Sequence, residues 1–265
     1  WDGVFLDSAY SEVTPFSGAG VDMDRNGIAD PAKDVDAAWK RGMTKLIRKV
    51  REVNPNILIM NNSSAAYADL TNGVLFENFP RFGWAWPFSE LRTSLSKNAS
   101  PKISSINTNT NNQERPNDYR LMRYGLPAAM VADGYFSFDA GDAGHHRTWW
   151  YDEYDAPIGT PRGAAKVVRG PATGANPAVW AREFTKGYAI VNGTKKAEEI
   201  SLPGEFEKLS GQQDPRTNNG AIVTKVTVPA EDGIVLIRRT EATEVRGANF
   251  QNGSFLQVFD AQGNR

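Results

Sequence analysis

The chain has 265 residues, 40% of them hydrophobic and 23% charged, with 30 basic side chains against 31 acidic ones. That length allows one large domain or two modest ones, and a net charge of -1 supplies no basic field for nucleic acid. No apolar run approaches the ~20 residues of a membrane-spanning helix, and the absence of cysteine removes thiol catalysis, thiolate metal sites and disulfides. A cysteine-free chain fits a bacterial protein that works outside the cell or on its surface.

Val4, Phe5 and Leu6 form a short apolar run ending at Asp7, which reads as a buried strand. A polar loop follows to about Asp34. A helix is then expected over 35–53, where Val35, Ala38, Trp39, Met43, Leu46, Ile47 and Val50 recur at three- and four-residue steps, with Asp34 as its cap. Further strands are expected at 57–60, ending in Asn61 and Asn62, at 74–76, ending at Glu77, and at 103–106, ending at Asn107. A second helix over 120–131 precedes a fifth strand at 135–138, which ends at Asp139. Short apolar strands separated by helices predict a parallel sheet covered on its faces, with function at the strands' C-terminal ends.

Near 166–177 the composition turns to Gly, Pro and Ala, and beyond it the period becomes two. The runs 181–184, 187–193, 199–202, 221–228 and 233–237 predict short antiparallel strands, enough for a small β-sandwich. The tail from Thr240 carries Phe255, Val258 and Phe259, read as the start of a further β module.

Asp7 and Glu77 each close an apolar triplet, so each should stand at the mouth of a parallel strand. Two carboxylates in one cleft are what glycoside hydrolysis needs: one attacks or activates water, and the other protonates the leaving oxygen. A carboxylate ending a single strand can equally cap a helix, but Asp139 repeats the pattern on a third strand. Aromatic side chains follow both ends. Trp84 and Trp86 come after Glu77, while Trp149 and Trp150 come after Asp139. Indoles suit the apolar C–H face of a sugar ring, although Trp84 and Trp86 can equally pin a long loop, and Trp150 is expected to pack. Asn61, Asn62, Asn107 and Asn109 at strand ends, with Asp139 and His145, complete the polar groups expected to contact substrate, and His146 is expected to be solvated.

In the loop before the first helix, Asp22, Asp24, Asn26 and Asp30 put side-chain oxygens at alternate positions, with the carbonyl of Ile28 as another ligand and Gly27 sixth. This matches the first half of a calcium loop, but Lys33 stands where the bidentate Glu belongs. The alternatives are a structural calcium ion and a loop held by its own Asx turns. No other cofactor is expected. With two histidines and no Gly-x-Ser-x-Gly elbow, a Ser-His-Asp hydrolase is disfavoured.

The first seven residues resemble the fourth strand of the (β/α)8 barrels of hypothetical bacterial glycoside hydrolases. The likeness extends to the Asp-rich loop ending near Asp30, to the run from Gly73 to Glu77, to Trp149-Trp150-Tyr151-Asp152-Glu153-Tyr154, and to Gly159, Pro161 and Gly163. Asn218-Asn219-Gly220 and Asp232-Gly233-Ile234-Val235-Leu236 resemble the small β-domain that follows such barrels. The resemblance covers roughly residues 1–239. It implies an α/β fold in which 1–175 form the C-terminal part of a TIM barrel, strands four to eight, followed by a β-sandwich over 176–239 and a linker with a further module over 240–265. It also implies that Asp7 is nucleophile or stabiliser, Glu77 general acid/base and Asp139 a supporting residue. The barrel's missing N-terminal strands are then the chain's partner, and a polysaccharide or glycoconjugate its substrate. The competing expectation is a non-catalytic carbohydrate-binding or structural surface protein on a degenerate barrel.

Overall fold

The computed structural model describes residues 1–17, 20–81, 83–171 and 177–239. Five strands, β1 (Gly3–Leu6), β2 (Leu58–Asn62), β3 (Gly73–Phe79), β4 (Ser105–Asn109) and β5 (Tyr135–Asp139), pair side by side in chain order and all run parallel. Helix α1 (Ala32–Val53) joins β1 to β2, α2 (Ala85–Lys97) joins β3 to β4, and α3 (Tyr119–Ala132) joins β4 to β5. Between β2 and β3 there is only a short 3-10 turn, Ala65–Tyr67.

Side-chain alternation divides this sheet into two unlike faces. Val74, Phe76 and Ile106 point to the helices, meeting Phe88, Leu91 and Leu95 of α2 and Ala128 and Val131 of α3. Ile59 meets Ile47 of α1 on the same side. Burying each such aliphatic or aromatic side chain is worth roughly 1.5–3 kcal/mol. Gly125 lets α3 lie close, since a Cβ there would stand 2.3 Å from both the Thr108 hydroxyl and the Phe136 ring. The opposite face carries Phe5, Met60, Leu75, Ser105 and Tyr135 around an open hollow, with Phe5 49% and Tyr135 61% exposed.

The helices differ from expectation at their starts. α1 begins at Ala32 after Pro31, so Asp34 lies inside its first turn and makes no cap hydrogen bond. There it still favours the positive end of the helix dipole. Helix α2 was not expected at all. Its apolar spacing, Phe88, Leu91 and Leu95, is interrupted in sequence by Pro87, which the first turn tolerates. α3 is capped by Asp118, which accepts from the Leu121 amide at 3.3 Å.

The second half is one six-stranded antiparallel sheet rather than a two-sheet sandwich. It contains β6 (Lys166–Arg169), β7 (Val179–Phe184), β8 (Gly187–Asn192), β9 (Glu198–Lys208), β10 (Ile222–Val228) and β11 (Asp232–Arg238), in the order β10-β9-β11-β8-β7-β6. It begins at β6, earlier than the boundary expected at 175/176. The alternation explains why no second sheet is needed. Val179, Ala181 and Ile190 face Ile200, Phe206, Val226 and Leu236 of the curled sheet itself. Ala178, Trp180, Ala189 and Val191, on the other side, pack on α2 and α3, so helices provide the covering layer.

Two further contacts tie the halves together. Arg123 of α3 donates through Nε at 3.1 Å and Nη2 at 3.2 Å to the Asp232 carboxylate, and through Nη1 at 2.5 Å to Asp214, with Arg123 and Asp232 buried. Trp84, just before α2, fills the space above Gly193, where a Cβ would fall 2.5 Å from the indole. Among the described residues no helix is long and apolar enough to cross a membrane. The further β module expected over 240–265 lies outside the described residues.

Candidate active site

The C-terminal ends of the parallel strands bring polar side chains onto the open face in one row: Asp7 after β1, Asn62 on β2, Glu77 on β3, Asn107 on β4 and Asp139 on β5. The row follows from pairing register. Leu6 aligns with Asn61, so Asp7 stands beside Asn62, and Asn107 aligns with Ser137, one step from Asp139.

Asp7 and Glu77 are brought together by an amide. Asn62 Nδ2 donates to Asp7 Oδ1 at 3.0 Å and to Glu77 Oε2 at 3.1 Å, one hydrogen to each. Its Oδ1 accepts from the Ser63 hydroxyl at 2.8 Å, which fixes the orientation of the amide. Asp7 also accepts from the Ser8 amide at 2.7 Å and is exposed, whereas Glu77 is half-buried. The sequence offered Asn61 and Asn62 together as strand-end groups, with Asn61 taken as the substrate contact; the structure puts Asn62 on the rim and Asn61 behind it. Asn61 points to the helix side, is fully buried, and spends its amide on the carbonyls of Asn62 and Ser64 and on Thr71. Its strand position, one residue from the rim residue, turns it away from any substrate.

A second cluster lies along the same row. Asp139 is 6% exposed; its Oδ1 accepts from the Gly141 amide at 2.8 Å, and its Oδ2 accepts from Asn107 Nδ2 at 2.9 Å and lies 2.8 Å from His145 Nδ1. Asn107, also buried, donates to Ser137 and receives from Asn109, which in turn reaches Asn78. Asp139 and Asn107 were expected to touch substrate directly; with these bonds made and little surface left, they hold His145. The His145 ring is half-exposed, and its pKa is raised first by the hydrogen bond to Asp139, with Asp142 and Glu77 adding negative charge nearby. His146 is exposed, as expected.

The tryptophans separate into wall and core. Trp86 is 50% exposed and lines a cavity of about 470 Å³ beside Glu77, together with Tyr10 and Phe16. Trp84, for which a sugar platform and a packing role stood level, is buried, stacked on Phe88 at 4.3 Å and on Tyr124 at 5.6 Å. Trp149 is likewise a packing residue, edge-on to Phe138 at 5.4 Å. Trp150, expected to pack, is 66% exposed and donates through its indole to Asp155 at 2.7 Å.

The carboxylates of Asp22, Asp24 and Asp30 converge within 4.8 Å of one another and are the groups that could hold a cation. Asp22 accepts from the amides of Gly27 at 2.7 Å and Asn26 at 3.1 Å, and these bonds, Gly27's first, hold its pKa below the usual value. Asn26 Oδ1 accepts from the Ile28 amide, so this side chain serves the turn.

An all-parallel sheet with a carboxylate-lined mouth defines an α/β protein whose candidate site lies at the strand ends. The chain belongs to a hypothetical glycosyl hydrolase family, family 15 in its series, whose model matches residues 1–188. No curated protein matches the sequence. Among solved structures it is similar to a glycoside hydrolase family 5 protein from Bacteroides vulgatus, at 12% identity and a TM-score of 0.41, over 79% of this chain and 60% of that one. A family 51 alpha-L-arabinofuranosidase from Bifidobacterium longum matches at 10% identity and a TM-score of 0.38, over 81% and 69% of the two chains. A family 27 β-L-arabinopyranosidase from Geobacillus stearothermophilus matches at 8% and 0.36, over 92% and 89%. The chain thus spans 60% of the length of the first of these.

Proposed function

We propose that this chain carries the catalytic part of a glycoside hydrolase that cleaves a polysaccharide or glycoconjugate outside the cell. The observation that carries the reading is the shared amide. Because Asn62 Nδ2 bonds both carboxylates, the facing oxygens of Asp7 and Glu77 lie no more than about 6 Å apart, close enough for both to act on one glycosidic bond. Asp7 attacks the anomeric carbon while protonated Glu77 gives its proton to the leaving oxygen. Glu77 then takes a proton from water, which displaces Asp7 from the sugar. Membership of the family supports the glycosidase class, and the absence of cysteine supports a site outside the cell.

The same reading completes the sheet as a (β/α)8 barrel. Its strands follow one another without reversal, all three helices lie on one face, and the other face leaves Phe5 and Tyr135 uncovered. A barrel interior is filled by side chains from all its strands, so further strands of the same barrel are the expected cover. The Asp22–Asp24–Asp30 loop is read as a weak structural calcium site. Asp7→Asn and Glu77→Gln should each lower glycan cleavage by about a thousandfold or more in the complete protein. The first-formed product, followed by NMR, should keep the anomeric configuration of the substrate. Inversion would remove the two-step mechanism, and full activity in either variant would remove that carboxylate from it.

A further inference from the structure

We propose that the cavity between the 10–16 loop and Trp86 is the leaving-group subsite, and that it takes a neutral or amino sugar and rejects uronic, sialic, sulfated or phosphorylated ones. This rests on the glycosidase reading of Asp7 and Glu77. In that reading the proton donor stands on the leaving-group side, and Glu77 is in the cavity wall whereas Asp7 is not. The sugar released when Glu77 protonates the glycosidic oxygen therefore departs from this space.

The walls are aromatic and carry one sign of charge. Tyr10 and Phe16 stack on each other at 4.3 Å with their planes 18° apart, and Phe16 remains 63% exposed. Trp86 lines the same cavity. An exposed Phe16 and a half-exposed Trp86 in the lining of one slot suit the C–H face of a pyranose. Glu12 and Glu77 are the ionisable acids of the lining, and no Lys, Arg or His belongs to it among the described residues. With Glu77 holding the proton it is to give, an anionic sugar would still meet the Glu12 carboxylate with no basic side chain in the lining to offset it, a repulsion that works against the wrong substrate. An ammonium group would be welcomed, and hydroxyls find Ser63, Ser64 and Asn78.

The slot is also preformed. Asp36 of α1 accepts from the amides of Val13 at 2.8 Å and Thr14 at 2.9 Å and from the Thr14 hydroxyl at 2.7 Å. Trp39 and Tyr67 both donate to the Tyr10 carbonyl, at 2.9 and 3.0 Å. The platform loop is thus fastened to α1 and to the turn before β3, which removes the cost of ordering it around a ligand.

The test offers the complete protein a panel of neutral, amino, uronic-acid and sulfated oligosaccharides. It compares the parent with Trp86→Ala, Trp86→Phe, Phe16→Ala and, as a catalytic control, Asp7→Asn. The expected result is cleavage confined to bonds whose leaving residue is neutral or amino. Trp86→Ala and Phe16→Ala should lower kcat/KM by about 10- to 100-fold, mainly through KM, with Trp86→Phe restoring most of it. Cleavage that Asp7→Asn abolishes but that both alanine variants leave at the parent level, or a preference for an anionic leaving residue, overturns the subsite and leaves the glycosidase reading standing. No cleavage of any member of the panel removes both.

Discussion

Along β3 of the parallel sheet, Val74 and Phe76 are shut against helices while Leu75 and Glu77, both half-buried, stand on the open face. Along β8 of the antiparallel sheet, Ala189, Ile190 and Val191 in succession have no exposed surface. One sheet leaves a face uncovered and gathers its carboxylates and amides there. The other covers both faces, one with helices and one with its own curled strands. Polar groups are therefore treated differently. Asp7 and Glu77 keep contact with solvent, whereas Arg123, Asp232 and Asn192 are buried and hydrogen-bonded. The contrast teaches that stability and reactivity are segregated by face within one chain, and that substitutions should divide the same way.

The widest separation is expected between the catalytic carboxylates and Arg123. Glu77→Gln should remove almost all activity and change stability by no more than about 0.5 kcal/mol, because a half-exposed acid becomes an amide of the same shape. Arg123→Ala should do the reverse. It leaves Asp232 buried without its cation, at a cost of about 3–5 kcal/mol read as a lowered denaturation midpoint. Loss of stability in the first variant, or none in the second, would erase the division between the faces.

A smaller effect concerns His145, the residue where rim and burial meet. Its pKa stands above the ordinary 6.5 because Asp139 accepts its hydrogen bond. A cation favoured in the folded state contributes most below the unfolded value of 6.5 and loses that contribution as pH rises through the elevated folded value. The melting temperature of the parent should therefore fall from about pH 6 to 8 by more than that of His145→Asn. Parallel profiles would mean that the pair is indifferent to charge. Smallest of all is the acidic loop. With Lys33 at the twelfth position, millimolar Ca2+ should stabilise by only about 1–2 kcal/mol, measured as a melting shift absent from Asp22→Asn. A shift of equal size in that variant would place the ion elsewhere.

Much of this arrangement was legible in the sequence, and what was missed has a common form. Asp7, Glu77 and Asp139 each follow an apolar run, and all three stand at strand mouths on the open face. Asn61 and Asn62, or Trp149 and Trp150, are like residues side by side. Composition identifies the pair, but only pairing register or the path of the next turn decides which member is buried and which is left facing the cleft or solvent. The loop after Glu77 hid a further ambiguity, since Trp84 precedes a helix that Pro87 obscured, and one indole went into the core while the other lined the cavity. The single curled sheet could not be told from a sandwich, because period-two alternation is the same whether the second layer is a sheet or a pair of helices.

Trp84 leaves one more consequence. It seats on Gly193 of the antiparallel sheet and packs on Phe79, so the strand bearing the proposed acid is moored to the other half of the molecule. Phe79, at the end of that strand, meets the Trp84 ring edge-on at 6.0 Å, so a displacement of the antiparallel sheet would be passed toward Glu77 through packed rings. The antiparallel half then acts as a footing that sets where the acid stands. Recombination among relatives should succeed when both halves travel together, with variety in substrate arising in the 10–16 loop, which the mooring does not reach.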